Sequence, residues 1–145
     1  MLPYPHTYVV NAAGAASGAV SLTATNLPDL ESAAPAEFGG PGDQWSPETL
    51  VCAAVADCLV LTFRAMARAS KFEWQDISCR TEGILDRVDG VARFSRFTTS
   101  VTLKVMAGVD IVKAQQLLQR SERGCLIANS LSAERSLVVD VLVGS

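Results

Sequence analysis

Phe97, Thr99, Val101, Leu103 and Val105 alternate with polar residues through the segment 91–106. A period of two is that of a β-strand, whose successive side chains point to opposite faces. The segment 75–88 reads as its partner. Asp89-Gly90 between them predicts a tight hairpin, because a type I′ turn needs positive φ at both central positions. The period then changes. Asp110 is a capping residue, Ile111, Ala114, Leu117, Leu118 and Ser121 follow at helical spacing, and Gly124 stops the helix. Residues 125–131 predict a short helical turn. Leu137, Val139, Val141 and Val143 alternate through a closing strand over 135–143.

Upstream, Ser46, Pro47 and Glu48 form a helix start: an N-cap, a residue suited to the first helical position, and an acid at the positive end of the dipole. Nothing breaks the helix from Pro47 to about Ser70. Its middle, Cys52 to Phe63, is apolar nearly all round, which predicts a long buried helix with sheet on one side and a second subunit on the other. Residues 6–25 alternate loosely, with Tyr8 and Val10, then Val20, Leu22 and Ala24 beyond Gly14 and Gly18, and predict a small hairpin. Residues 26–46 hold Pro28, Pro35, Gly39, Gly40, Pro41 and Gly42 and read as a long loop. The expected architecture is α+β rather than a parallel βαβ series: β-hairpin, long helix, β-hairpin, helix, short helical turn, strand. The expected organisation is a single domain over 1–145.

Composition narrows the function. Of the 145 residues, 49% are hydrophobic and 19% charged, an apolar balance that points to a covered subunit interface. The net charge of −3, with basic residues interleaved among acids, argues against nucleic acid as a partner. The N-terminal segment has no basic region followed by an apolar stretch, and Asp57, Thr62 and Arg64 interrupt the longest apolar run, so neither a secretory signal nor a membrane span is expected. The expected compartment is cytoplasmic, where the 4 cysteines are reduced.

The chemistry therefore rests on thiols. Cys58 lies mid-helix, either as a small buried hydrophobe or as a reactive thiol; burial raises a thiol pKa, so the second needs a nearby positive charge. Cys125 follows the helix stop and precedes a helical turn, where free backbone N–H groups lower a thiol pKa; burial is the competing reading. Cys52 points about 120° away from Cys58 on the helix and reads as core. Cys79, mid-strand, reads as structural. There is no C-x-x-C, and His6 is the only histidine, so no metal, no other cofactor and no histidine-based triad are expected.

The run Phe38-Gly39-Gly40, then Trp45-Ser46-Pro47-Glu48-Thr49-Leu50 and Ala53-Ala54-Val55-Ala56-Asp57-Cys58, resembles the OsmC/Ohr family, as does Glu122-Arg123-Gly124-Cys125 through Leu131. The element order is similar over nearly the whole chain. The resemblance implies an OsmC-like fold in an intertwined homodimer and a thiol-dependent reduction of organic hydroperoxides in oxidative-stress defence. By motif position Cys58 is the peroxidatic thiol, Cys125 the resolving thiol, and Glu48 the acid that orients an arginine towards the thiolate; an external dithiol is the reductant. The chain departs from the family in having no Lys or Arg before Arg64. Arg64, Arg93 and Arg96 are the candidates to replace that cation, and Asp57 is expected to pair with an arginine or a backbone group across the dimer. Phe38, Trp45, Leu126 and Ile127 are candidates for an apolar substrate cleft. The alternative is an OsmC-like dimer without catalysis that binds a small hydrophobic ligand or serves as a thiol redox sensor.

Overall fold

A computed structural model of the chain describes residues 2–144. It divides into two compact units, Met1–Leu50 and Val51–Ser145, and the boundary falls inside the long helix.

The N-terminal unit carries the expected hairpin in shorter strands: β1 (Asn11–Ala13) pairs antiparallel with β2 (Val20–Thr23). The expected loop over 26–46 is corrected in part. It contains a third strand, β3 (Leu30–Ser32), antiparallel to β2 with Leu22 opposite Leu30 and Val20 opposite Ser32, and a 3₁₀ turn over Ala36–Phe38. Asn26, at φ 64, turns the chain between β2 and β3. Further on, Ala33 N–H donates to the Trp45 carbonyl at 2.8 Å, which ties the end of the segment back to β3. Gly40 is required there: a Cβ would lie 1.6 Å from the Ala34 carbonyl oxygen.

Helix α1 (Pro47–Ala69) begins as its sequence predicts. The Ser46 hydroxyl accepts from the Thr49 N–H at 3.1 Å, and the Thr49 hydroxyl accepts from the Ser46 N–H at 2.9 Å, a reciprocal cap. By length and composition alone α1 is apolar enough to cross a membrane, its most apolar window having a mean hydropathy of 1.9, a level that buried core helices also reach. One stripe, Val55, Leu59, Phe63 and Ala67, is fully buried; other apolar positions, Leu61 among them at 51% exposure, are not covered within the single chain.

The C-terminal unit supplies what the stripe packs against. β4 (Asp76–Val88) and β5 (Val91–Met106) form the expected hairpin, with Asp89 at φ 52 and Gly90 at φ 80. Phe97, Thr99, Val101, Leu103 and Val105 are all buried on its inner face. Helix α2 (Ile111–Arg123) is capped by Asp110, which accepts from the Lys113 N–H at 3.1 Å. Ala114, Leu117, Leu118 and Ser121 are buried, whereas Ile111, expected on the same face, is 40% exposed in the first turn. A short helix, α3 (Leu126–Asn129), leads to β6 (Glu134–Gly144).

The sheet order is β4-β5-β6, and β6 runs parallel to β5. The α+β class holds, and within it β5 and β6 form one parallel pair that the expected element order did not specify. Parallel neighbours need a crossover of a dozen or more residues, and α2 with α3 provides one. Leu59, Phe63, Leu103 and Leu118 are buried at the centre of the core; each contributes about 1.5–3 kcal/mol by burial. Phe63 meets Phe72 and Trp74 edge-on at 6.5 and 5.4 Å.

Candidate functional site

The fold brings two of the three expected site residues together. Cys58 lies on α1 beside the buried stripe and is partly exposed. Cys125 is the residue that caps α3 and is 1% exposed. The crossover folds the start of α3 towards α1, so that the Ile127 and Leu126 amides and the Cys125 thiol act on Cys58. The Thr62 hydroxyl, one helical turn on, lies 3.8 Å from the Cys58 Sγ.

These contacts decide which sulfur ionises. Burial pushes the Cys58 thiol up, but the Ile127 amide, the Cys125 thiol, the Thr62 hydroxyl and the Leu126 amide all stabilise the anion, and together they hold it below the ordinary thiol value. Cys125 goes the other way. Burial raises it first, and the adjacent Cys58 raises it further, against the Ala128 and Ile127 amides. In the pair Cys58 is the sulfur that loses its proton first and Cys125 the one that keeps it longer.

No arginine is among the groups acting on Cys58. Arg96 pairs instead with Glu134 at 3.0 Å, across the β5–β6 register, and Arg64 and Arg93 are exposed. Asp57 is exposed and makes none of the ion pairs found among the described residues. Glu48, the third expected residue, belongs to the N-terminal unit, in the first turn of α1; its Oε2 is buried and has no hydrogen-bond partner among the described residues.

The other thiols are packing elements. Cys52 lies against Gly83, where a Cβ would come 2.7 Å from its Sγ, and burial pushes its thiol up. Cys79 sits on the inner face of β4 against the core, and burial pushes it up to about 11. Beside the pair, Leu126 is 63% exposed and Ile127 half-buried, so α3 offers apolar surface next to the thiols. A depression of about 480 Å³, lined by Ser70, Asp110, Lys113 and Arg120 among others, contains none of the cysteines.

One residue of the site escapes the sequence reading. Arg135, on β6, donates from Nε to Glu122 Oε1 at 2.6 Å, from Nη1 to Asn129 Oδ1 at 2.6 Å, and from Nη2 to the Glu122 carbonyl. Glu122 lies in the last turn of α2 and Asn129 ends α3, so the guanidinium grips both sides of the segment that carries Cys125. Asn129 reinforces this through Nδ2, which donates to the Arg123 carbonyl at 3.1 Å. The signal lay in three residues spaced by seven and six, with nothing local to relate them.

Comparison with known proteins agrees with this architecture. The model of the family described as OsmC-like protein matches residues 40–140. The chain is 30% identical over 112 residues to the uncharacterized protein YmaD of Bacillus subtilis (strain 168), covering 75% of each. Among solved structures it is similar to an OsmC-like protein of unknown function from Vibrio cholerae (TM-score 0.83, 15% identity, 93% of this chain and 99% of that one). It is also similar to the organic hydroperoxide resistance protein OhrB of Bacillus subtilis (TM-score 0.67, 21% identity, 94% of this chain and 98% of that one). Fold, element order and family match converge: this chain belongs to the OsmC-like family.

Proposed function

We propose that the chain is a cytoplasmic thiol peroxidase that reduces organic hydroperoxides, with Cys58 as attacking thiol and Cys125 as resolving thiol. The observation that carries this reading is the asymmetric pair: a partly exposed Cys58 whose thiol is held below its ordinary value, beside a buried Cys125 whose thiol is raised. The Cys58 thiolate attacks the terminal peroxide oxygen. The S–O bond forms, the O–O bond breaks, and the alkoxide takes up a proton and leaves as the alcohol. Sulfur is oxidised by two electrons to sulfenic acid. Cys125 then displaces the hydroxyl, its proton leaves with that oxygen as water, and the Cys58–Cys125 disulfide forms. An external dithiol returns the pair to the reduced state by exchange.

Relatives of this fold that carry the name organic hydroperoxide resistance protein support the substrate class. The uncovered apolar positions of α1 support a homodimer. Sedimentation at twice the 15.3 kDa chain mass is the expected outcome.

The test is to mix reduced protein with cumene hydroperoxide and count free thiols. Wild type loses two thiols per chain faster than free cysteine does, Cys58→Ser loses none at that rate, and Cys125→Ser stops at sulfenic acid. Thiol loss in the wild type no faster than in free cysteine defeats the reading. A second reading has one observation in its favour, the absence of an arginine among the groups that stabilise Cys58. In it the same pair is a slower redox sensor, oxidised over minutes, or the dimer binds a small hydrophobic ligand.

A further inference from the structure

Arg135 is anchored to the thiol pair through one carbonyl. The Glu122 carbonyl that accepts from its Nη2 also accepts from the Cys125 N–H, at 3.3 Å. At the other end of the segment, the Asn129 N–H donates to the Cys125 carbonyl at 2.9 Å, and the Asn129 side chain accepts from Nη1 of the same guanidinium. Both peptide groups of Cys125 are thus one hydrogen bond away from a residue that Arg135 holds. Its rigid planar fork binds both partners at once, which a lysine cannot do. The side chains of Arg135 and Glu122 are 25% and 22% exposed, so the clamp is largely shielded from water. Arg135 is absent from the charges that act on either thiol, so it works by placement rather than by its field.

We propose that Arg135 is a positioning residue of the thiol pair: by clamping Glu122 and Asn129 it keeps Cys125 and the first α3 amides within reach of Cys58. This role rests on the peroxidase reading only for its meaning in catalysis. The clamp spans the one loop in which the resolving thiol sits, and it joins that loop to β6, whose place is fixed by the parallel register with β5. Loosening it frees the α2–α3 joint and withdraws the donors that stabilise the Cys58 anion.

The experiment measures iodoacetamide alkylation of Cys58 against pH, followed by mass spectrometry of the Cys58 peptide, in wild type, Arg135→Met, Arg135→Lys, Glu122→Gln and Asn129→Ala. Arg135→Met is expected to move the alkylation midpoint to higher pH. A tenfold loss of thiolate, partly offset by the greater nucleophilicity of a more basic thiol, slows the reaction at neutral pH about threefold. Arg135→Lys restores part of the rate. Should Arg135→Met not fold, Glu122→Gln and Asn129→Ala, which leave the strand intact, carry the test and shift the midpoint in the same direction. A lowered melting temperature with an unmoved midpoint in the folded variants overturns the proposal, since it leaves Arg135 a purely structural contact. No peroxide enters this assay, so its result is independent of cumene hydroperoxide consumption by the wild type, which tests the peroxidase reading on its own.

Discussion

The Cys125 thiol lies beside the Cys58 sulfur, and this single contact acts on the two residues in opposite directions, lowering Cys58 and raising Cys125. It stabilises an anion on Cys58 and is lost if Cys125 gives up its proton. The pair is therefore an acid–base couple before it is a redox couple. The residue that reaches solvent is the one that ionises first.

Reactivity of Cys58 should appear at lower pH than for a free cysteine. A depressed thiol pKa means that the folded chain releases this proton earlier than the unfolded chain; the stability it confers is present above the ordinary value of 9.0 and is lost as pH falls through the lower folded value. Alkylation of the Cys58 peptide is expected to reach half its maximal rate below the midpoint measured after unfolding in urea. Thr62→Val, which removes the hydroxyl 3.8 Å from the sulfur, moves that midpoint up.

Substitution of Cys125 separates its two roles. Cys125→Ser keeps a hydroxyl donor and leaves the Cys58 midpoint near wild type, while Cys125→Ala removes the donor and raises it. Neither forms a disulfide. Dimedone labelling after one equivalent of cumene hydroperoxide is expected to trap sulfenic acid in both and little in the wild type. Equal midpoints for the two variants would show that the contact does not stabilise the thiolate.

Alkaline pH should weaken the fold through Cys79. Its thiol is raised by burial from 9.0 to about 11, so the folded state holds a proton that the unfolded state releases. By linkage, stability is complete below pH 9 and falls as pH rises towards 11. Urea midpoints at pH 8.5 and 10.5 measure the slope, and Cys79→Val is expected to flatten it. An unchanged slope in that variant would assign the alkaline loss to other groups.

Gly83 should not tolerate a side chain. A Cβ there meets the Cys52 Sγ at 2.7 Å, the Phe94 ring at 2.9 Å and the Phe97 ring at 3.0 Å. Gly83→Ala is expected to cost about 1–3 kcal/mol in a urea unfolding experiment. Adding Cys52→Ala removes one of the three obstacles, so the double variant should lose less than the sum of the single losses.

Much of this molecule is legible in the chain because its elements are long. Alternation from Phe97 to Val105 gives both the strand and its buried face, and Asp89-Gly90 gives the turn. What escaped was relational. β3 has three residues and becomes a strand only through its pairing with β2, and alternation in β6 carries no information about direction, so its parallel register with β5 was invisible. The site divides in the same way. Cys58 and Cys125 could be singled out by motif, but Arg135 acts on partners thirteen and six residues away, and nothing in Glu122 or Asn129 announces the guanidinium between them. The stabilisers of the Cys58 anion are mostly backbone amides, which every residue but proline possesses and which no sequence pattern displays.

The burial of Cys125, at 1% exposure, has a consequence for how such a chain would fail. An oxidant arriving from solvent finds one sulfur, so damage is a race at a single atom: a second peroxide carries the Cys58 sulfenic acid on to sulfinic acid, while the neighbouring thiol closes the disulfide first. Closure is unimolecular and damage bimolecular. The fraction of chains lost per turnover would therefore grow with oxidant concentration, and inactivation would mark the flood rather than the trickle.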